Sequence, residues 1–213
     1  MFKQGTITKL EPQKKRKNRI NVYIDEEFAI GISSNLVLDF DLYEGKTLSE
    51  HQLQEISEAE ELSKAKEYGF LLLSYRARSV KEFKTRLKQK KFSDYIIEAV
   101  VEKFLKHGYL DDLKFAESFV QSKQITNPGS KQSLVNELLK HGIDPDTAGK
   151  AVDSSYGELT ERDVACRLVR KKSKHYSKDN PKDRRRLFDF LKRRGFSTEI
   201  IKDAIESEWG VQI

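Results

Sequence analysis

Along residues 79–205 the apolar positions repeat as one pattern written three times. Shifted first by 51 and then by 53 residues, Phe83, Leu134 and Leu187 fall in register, as do Leu87, Leu138 and Leu191. Phe92, Ile143 and Phe196 coincide next, followed by Val100, Ala151, Ala204 and then Val101, Val152, Ile205. Self-similarity at a fixed period marks a repeat architecture, each unit a small supersecondary module. Within a unit, apolar residues four apart give a one-sided helical stripe. Ser79, Ser130 and Asp183 are placed as N-caps, and Glu82 stands at capping-box spacing from Ser79. Gly142 and Gly195 are placed to end the helix in left-handed geometry, where unit one carries Lys91. A second helix restarts at Ser93, Asp144 or Ser197.

A further helix precedes each pair. Tyr68/Leu72/Leu73, Phe115/Ala116/Phe119/Val120 and Val164/Ala165/Leu168/Val169 share an i, i+4, i+5 spacing. The polar loop His175–Pro181 ends in proline, which suits a helix start. Residues 1–48 follow a different period. Gly5–Leu10, Arg19–Ile24 and Glu27–Ile32 are β-prone, joined by a basic loop Glu11–Asn18 and a turn at Asp25-Glu26. Ser34–Phe40 fits a short helix or a fourth strand. The expected fold is mainly α: tandem three-helix repeats in an elongated curved array behind a small antiparallel β meander. The expected segments are 1–48 (β-rich), 49–63 (acidic helical connector), and repeats at 64–109, 110–157 and 158–213.

Composition sharpens this picture. Of 213 residues 35% are charged and 37% hydrophobic, too polar for one large core. No apolar run nears the ~20 residues of a membrane span, and no apolar h-region follows Phe2-Lys3-Gln4-Gly5. A single cysteine, Cys166, fits a reducing compartment, and a cytoplasmic location is expected. The net charge of +6 is unevenly spread. Residues 167–194 hold thirteen Lys or Arg against three Asp, while 39–61 are acidic. Such polarisation suits a surface that meets a polyanion.

Catalytic signals are weak. The four histidines do not cluster with carboxylates; His107 and His141 precede glycines at helix ends, where the dipole favours them. Cys166 sits on an apolar-patterned helix as a buried thiol. Asp111-Asp112 could suggest a metal, but capping the following helix accounts for it better. No metal site or cofactor is expected. The binding candidates are basic: Lys14, Lys15, Arg16 and Lys17 in the first loop, and Arg76 and Arg78 beside Tyr75. The others are Arg170, Lys171 and Lys172, then Lys182, Arg185, Arg186, Arg193 and Arg194. Positions 182, 185, 186 and 193 fall on one side of a helix. Phe83, Phe92, Tyr109, Phe115 and Phe119 have the spacing of core rather than of a base-stacking platform.

Several stretches resemble the RecX regulators of the RecA recombinase. They are Tyr75-Arg76-Ala77-Arg78-Ser79 with Glu82 and Leu87, Gly108-Tyr109-Leu110-Asp111-Asp112 with Phe115-Ala116, and Leu138 to Gly142. Leu191-Lys192-Arg193-Arg194-Gly195-Phe196-Ser197 completes the set, and the likeness covers about 64–210. Lys91 departs from the usual glycine, and the front of the chain is similar to the β-rich extension of longer members. The resemblance implies a non-enzymatic protein that lies in the groove of a RecA filament on single-stranded DNA. It implies inhibition of ATP hydrolysis, strand exchange and co-protease activity. The expected partners are the RecA filament and single-stranded DNA, with duplex DNA a further candidate; no membrane is involved and the chain is expected to be monomeric. The alternative is a DNA-binding protein in its own right, clamping the strand with Lys14–Lys17 and Arg184–Arg194.

Overall fold

The computed structural model describes residues 4–157 and 159–211. The side chains of Arg16 and Lys17 lie outside the described residues, as do Phe2 and Lys3, used above in the leader argument. By contacts the chain forms two units: one runs to Arg76 and resumes over Phe83–Tyr109, the other comprises Ala77–Glu82 and the chain from Leu110 onward.

Unit one opens with β1 (Gly5–Gln13), β2 (Arg16–Ile24) and β3 (Glu27–Ser33), then α1 (Ser34–Asp39) and β4 (Thr47–Leu48). The sheet is antiparallel in the order β3-β2-β1-β4. Two expectations change here. The meander has a fourth strand, a two-residue one that pairs only with Gly5 and Thr6. The basic loop contracts to a two-residue turn at Lys14–Lys15, because β1 runs on through Pro12, opposite Ile20. Proline is tolerated there since β4 stops short, so no ladder donor is needed on that edge. The second turn stands as expected, with Asp25 and Glu26 both at positive φ (46° and 69°), the twist that suits a tight hairpin. Of the two options for Ser34–Phe40, the helix is realised.

Ile7, Val22, Ile32, Leu48, Leu53 and Ile56 close the core between the sheet and α2 (Glu50–Tyr75). Ser49 caps α2 in a full capping box with Gln52. The acidic connector and the first helix of repeat one are therefore one continuous 26-residue helix. Glu60 on α2 is 1% exposed and meets Arg19 Nη2 at 2.6 Å, while the Ser33 N–H donates to its other oxygen. Farther along, Gly69 lets α3 (Val80–Gln89) and α4 (Asp94–Lys106) close in: a Cβ there would lie 2.8 Å from Phe83 and 3.0 Å from Phe104.

Unit two carries α5 (Asp112–Thr126), α6 (Lys131–Lys140), α7 (Pro145–Tyr156), α8 (Glu161–Lys172), α9 (Pro181–Arg193) and α10 (Thr198–Trp209). Its core joins Leu134, Leu138, Ile143, Val169, Leu187 and Leu191. Gly142 and Gly195 take positive φ (84° and 87°), as expected, and Lys91 adopts the same geometry at 65° despite its Cβ. That conformation costs a non-glycine residue about 1–2 kcal/mol. Ser130, Asp144 and Ser197 cap their helices through side-chain oxygens, and Ser79 Oγ accepts from the Glu82 N–H. Ser93 stands at its cap without a side-chain bond, its own N–H donating to Glu61. Asp183 is not a cap. Asn180 takes that role with Pro181 at the first helical position, where the missing N–H and fixed φ do no harm.

One junction recurs inside unit two. Ser79 Oγ donates to the His141 carbonyl and the Val80 N–H to Asp112. A repeat later the Ser130 N–H donates to the Arg194 carbonyl and the Lys131 N–H to Glu161. Repeats two and three thus each complete the start of the preceding repeat's middle helix.

Candidate functional site

In α9, Leu187 and Leu191 are buried and hold the helix against the core. Turning 100° per residue, the opposite side presents Lys182, Arg185, Arg186, Lys192 and Arg193, all exposed and within roughly a third of the circumference. Asp189 lies among them, and Arg186 leans to Asp183 at 3.2 Å. Five cations against one central carboxylate make a ridge able to track phosphates or an acidic protein surface.

Other basic candidates are engaged within the fold. Phe190 is flanked by Lys172 Nζ at 4.8 Å and Arg194 Cζ at 4.6 Å from its ring centre. Arg194 also donates to the Pro128 carbonyl at 2.6 Å, and burial lowers its pKa. Arg170 grips Glu208 with two hydrogen bonds, which hold that carboxyl below its usual range. Arg78 has a tenth of its side chain exposed and faces Glu82 at 4.0 Å. Glu82 in turn accepts from His141 Nδ1 at 2.7 Å, with the imidazole packed on Phe115 and Phe119. Lys14, Lys15, Arg76 and Lys171 are exposed.

The residues weighed for chemistry have structural roles. His107 Nδ1 meets the Lys103 carbonyl, as expected at a helix end. Asp111 caps α5, a bond to the Lys114 N–H lowering its pKa, and burial raises that of Asp112. Burial also pushes the Cys166 thiol up. Trp209 Nε1 donates to Ser173 Oγ at 2.6 Å beside a shallow cavity of about 630 Å³ lined by Lys174, His175, Tyr176 and Lys178. Phe83 and Phe115 are core, and Phe92 and Phe119 are part-buried. Tyr109 corrects the expectation for the aromatics. It is 52% exposed, because the turn at Gly108 carries it off the helical stripe.

Four family models match the chain in order. The RecX N-terminal domain matches residues 5–49, and the first, second and third RecX three-helix domains match 65–104, 111–152 and 160–205. The chain belongs to the RecX family. Its relatives include the regulatory protein RecX of Bacillus velezensis, 34% identical over 94% of this chain and 76% of the relative. RecX of Clostridium acetobutylicum is 30% identical over 96% of this chain and 97% of its own length. A crystal structure of regulatory protein RecX superposes with a TM-score of 0.70 at 26% identity, covering 93% of this chain and 99% of that one. RecX from Lactobacillus salivarius shares the fold, with a TM-score of 0.61 over 72% of this chain and 99% of that one. The RecX-family repeats are the three-helix units read from the periodicity, and the α9 ridge stands in the third.

Proposed function

We propose that this RecX-family chain is a non-enzymatic regulator that binds the RecA filament on single-stranded DNA. In doing so it restrains ATP hydrolysis, strand exchange and co-protease activity. The observation that carries the reading, beside family membership, is the α9 ridge. Lys182, Arg185, Arg186, Lys192 and Arg193 stand outward on a helix fixed by its apolar side. The ridge offers a long, shallow cationic contact, which suits a filament surface better than a small molecule. Repeats as separate modules, monomeric action and a cytoplasmic setting belong to the same reading. Among the described residues no helix is long and apolar enough to cross a membrane.

The test is a pair of titrations at fixed salt. One uses bare single-stranded DNA, the other the same DNA coated with ATP-bound RecA. Much tighter binding to the coated strand, with slowed ATP hydrolysis, supports the regulator. Equal or tighter binding to bare DNA supports the second reading, a protein that competes with RecA for the strand. The exposed hairpin tip Lys14–Lys15 favours that alternative as an added phosphate contact. Direct binding to duplex would fall steeply with salt, with a log–log slope of about 0.9 per phosphate neutralised.

A further inference from the structure

Repeat one carries a second surface of different chemistry, confined to unit one. Phe70 on α2 is 47% exposed and Tyr109, after α4, is 52% exposed. Their rings meet edge to face at 5.1 Å, both resting on the buried Phe104. His107 lies parallel to Tyr109, 12° between planes and 5.9 Å between centres, its ring set by the Nδ1 bond to the Lys103 carbonyl. A turn before Phe70 on the same side of α2 stands Lys66, beside Lys103 of α4. Burial lowers the Lys66 pKa and the like charge of Lys103 adds to it. Two ammonium groups drawn together from different helices make a place that an anion would relieve. Exposed planar rings stand next to it.

We propose that this face of repeat one binds single-stranded nucleic acid, Lys66 and Lys103 holding phosphate while Tyr109 and Phe70 take a base by stacking. Flat rings favour a nucleobase over an acidic peptide, since stacking needs only a π face and is indifferent to base identity. The cation pair supplies the electrostatic part that every such groove uses. This site goes beyond the α9 ridge and needs no RecA, so its failure leaves the filament reading untouched.

The experiment uses the full chain and an oligothymidylate of about ten nucleotides, with several residues replaced by photoreactive 5-iodouracil. Affinity is measured across a salt series for the wild type, Tyr109→Ala, Tyr109→Phe and the pair Lys66→Gln/Lys103→Gln. Thermal unfolding checks each fold. The site predicts crosslinks to Tyr109 or Phe70, and a loss of about fivefold or more for Tyr109→Ala, rescued by Tyr109→Phe. It predicts a salt slope lower by about 0.7 to 1.4 for the lysine pair. Unchanged affinity and slope in the lysine pair, with crosslinks confined to α9, would overturn it. So would variants that keep the oligonucleotide and lose only an acidic probe such as polyglutamate. Should Tyr109→Ala unfold, the lysine pair and the crosslink map decide alone.

Discussion

Repeat three holds two populations of cations that are alike in sequence and opposite in use. Arg185 and Arg193 point outward from α9, whereas Arg194, the next residue along, turns back to Phe190 and the Pro128 carbonyl. Lys172 shares that ring, and Arg170 is taken by Glu208. One step along a helix, 100° of rotation, separates a surface charge from a packing element. A run of thirteen basic residues therefore overstates the surface offered to a partner. The contrast extends to unit one, where Arg19 is buried against Glu60 and Lys14 stands exposed at a hairpin tip.

The contrast can be broken at its most buried point. Glu60→Ala leaves Arg19 without its counter-charge and is expected to cost about 3–5 kcal/mol in urea unfolding. A loss near that of a surface substitution would show the pair to be incidental. Next, Arg194→Ala removes a half-buried hydrogen bond and a ring contact, an expected loss of about 1–3 kcal/mol, whereas Arg193→Ala leaves the unfolding midpoint unchanged. Third, Arg185→Glu/Arg186→Glu/Arg193→Glu is expected to weaken filament binding at least about tenfold while the chain stays folded, its melting temperature lowered only by the lost Arg186–Asp183 pair and the last-turn charge. The matched control reverses the exposed Glu55, Glu58 and Glu67 rather than the buried Glu60. Equal loss in both sets would remove the ridge from the account.

The smallest effect belongs to Arg170→Ala, whose loss of neutral-pH stability is small because Arg170 itself stays largely exposed to solvent. Its signature lies in acid. The Glu208 pKa is depressed below its ordinary 4.5 by the Arg170 hydrogen bond. The pair's contribution is therefore present above that value and lost as pH falls through the depressed one. Arg170→Ala should flatten that part of an acid unfolding curve.

Features with a strong local cause were legible beforehand. Gly142 and Gly195 end their helices as placed, and Ser130, Asp144 and Ser197 cap through their own side chains. The apolar register from Phe83 to Ile205 became core at Leu134, Leu138, Leu187 and Leu191, because a 3.6-residue stripe must be buried. What escaped depends on distant partners. Glu60 reads as one acid among many until Arg19 arrives from the sheet, 41 residues away. The role of Arg194 requires Pro128, 66 residues back. β4 is two residues long and exists only because β1 offers an edge. Asp183 lost its assigned cap to Asn180 because Pro181 starts the helix earlier. Tyr109 left the stripe because a left-handed Gly108 precedes it.

The recurring junction sets where the chain can be cut. A fragment starting at Leu110 keeps all of repeats two and three by the helix count, yet loses Ser79 and Val80, whose donors bond the His141 carbonyl and the Asp112 carboxylate. The seam of cooperative unfolding is therefore expected to be offset from the seam of sequence repetition by about thirty residues, in line with the unit that takes in Ala77–Glu82. In hydrogen exchange, the amide of Val80 should open with the amides of α5 and α6 rather than with those of α2.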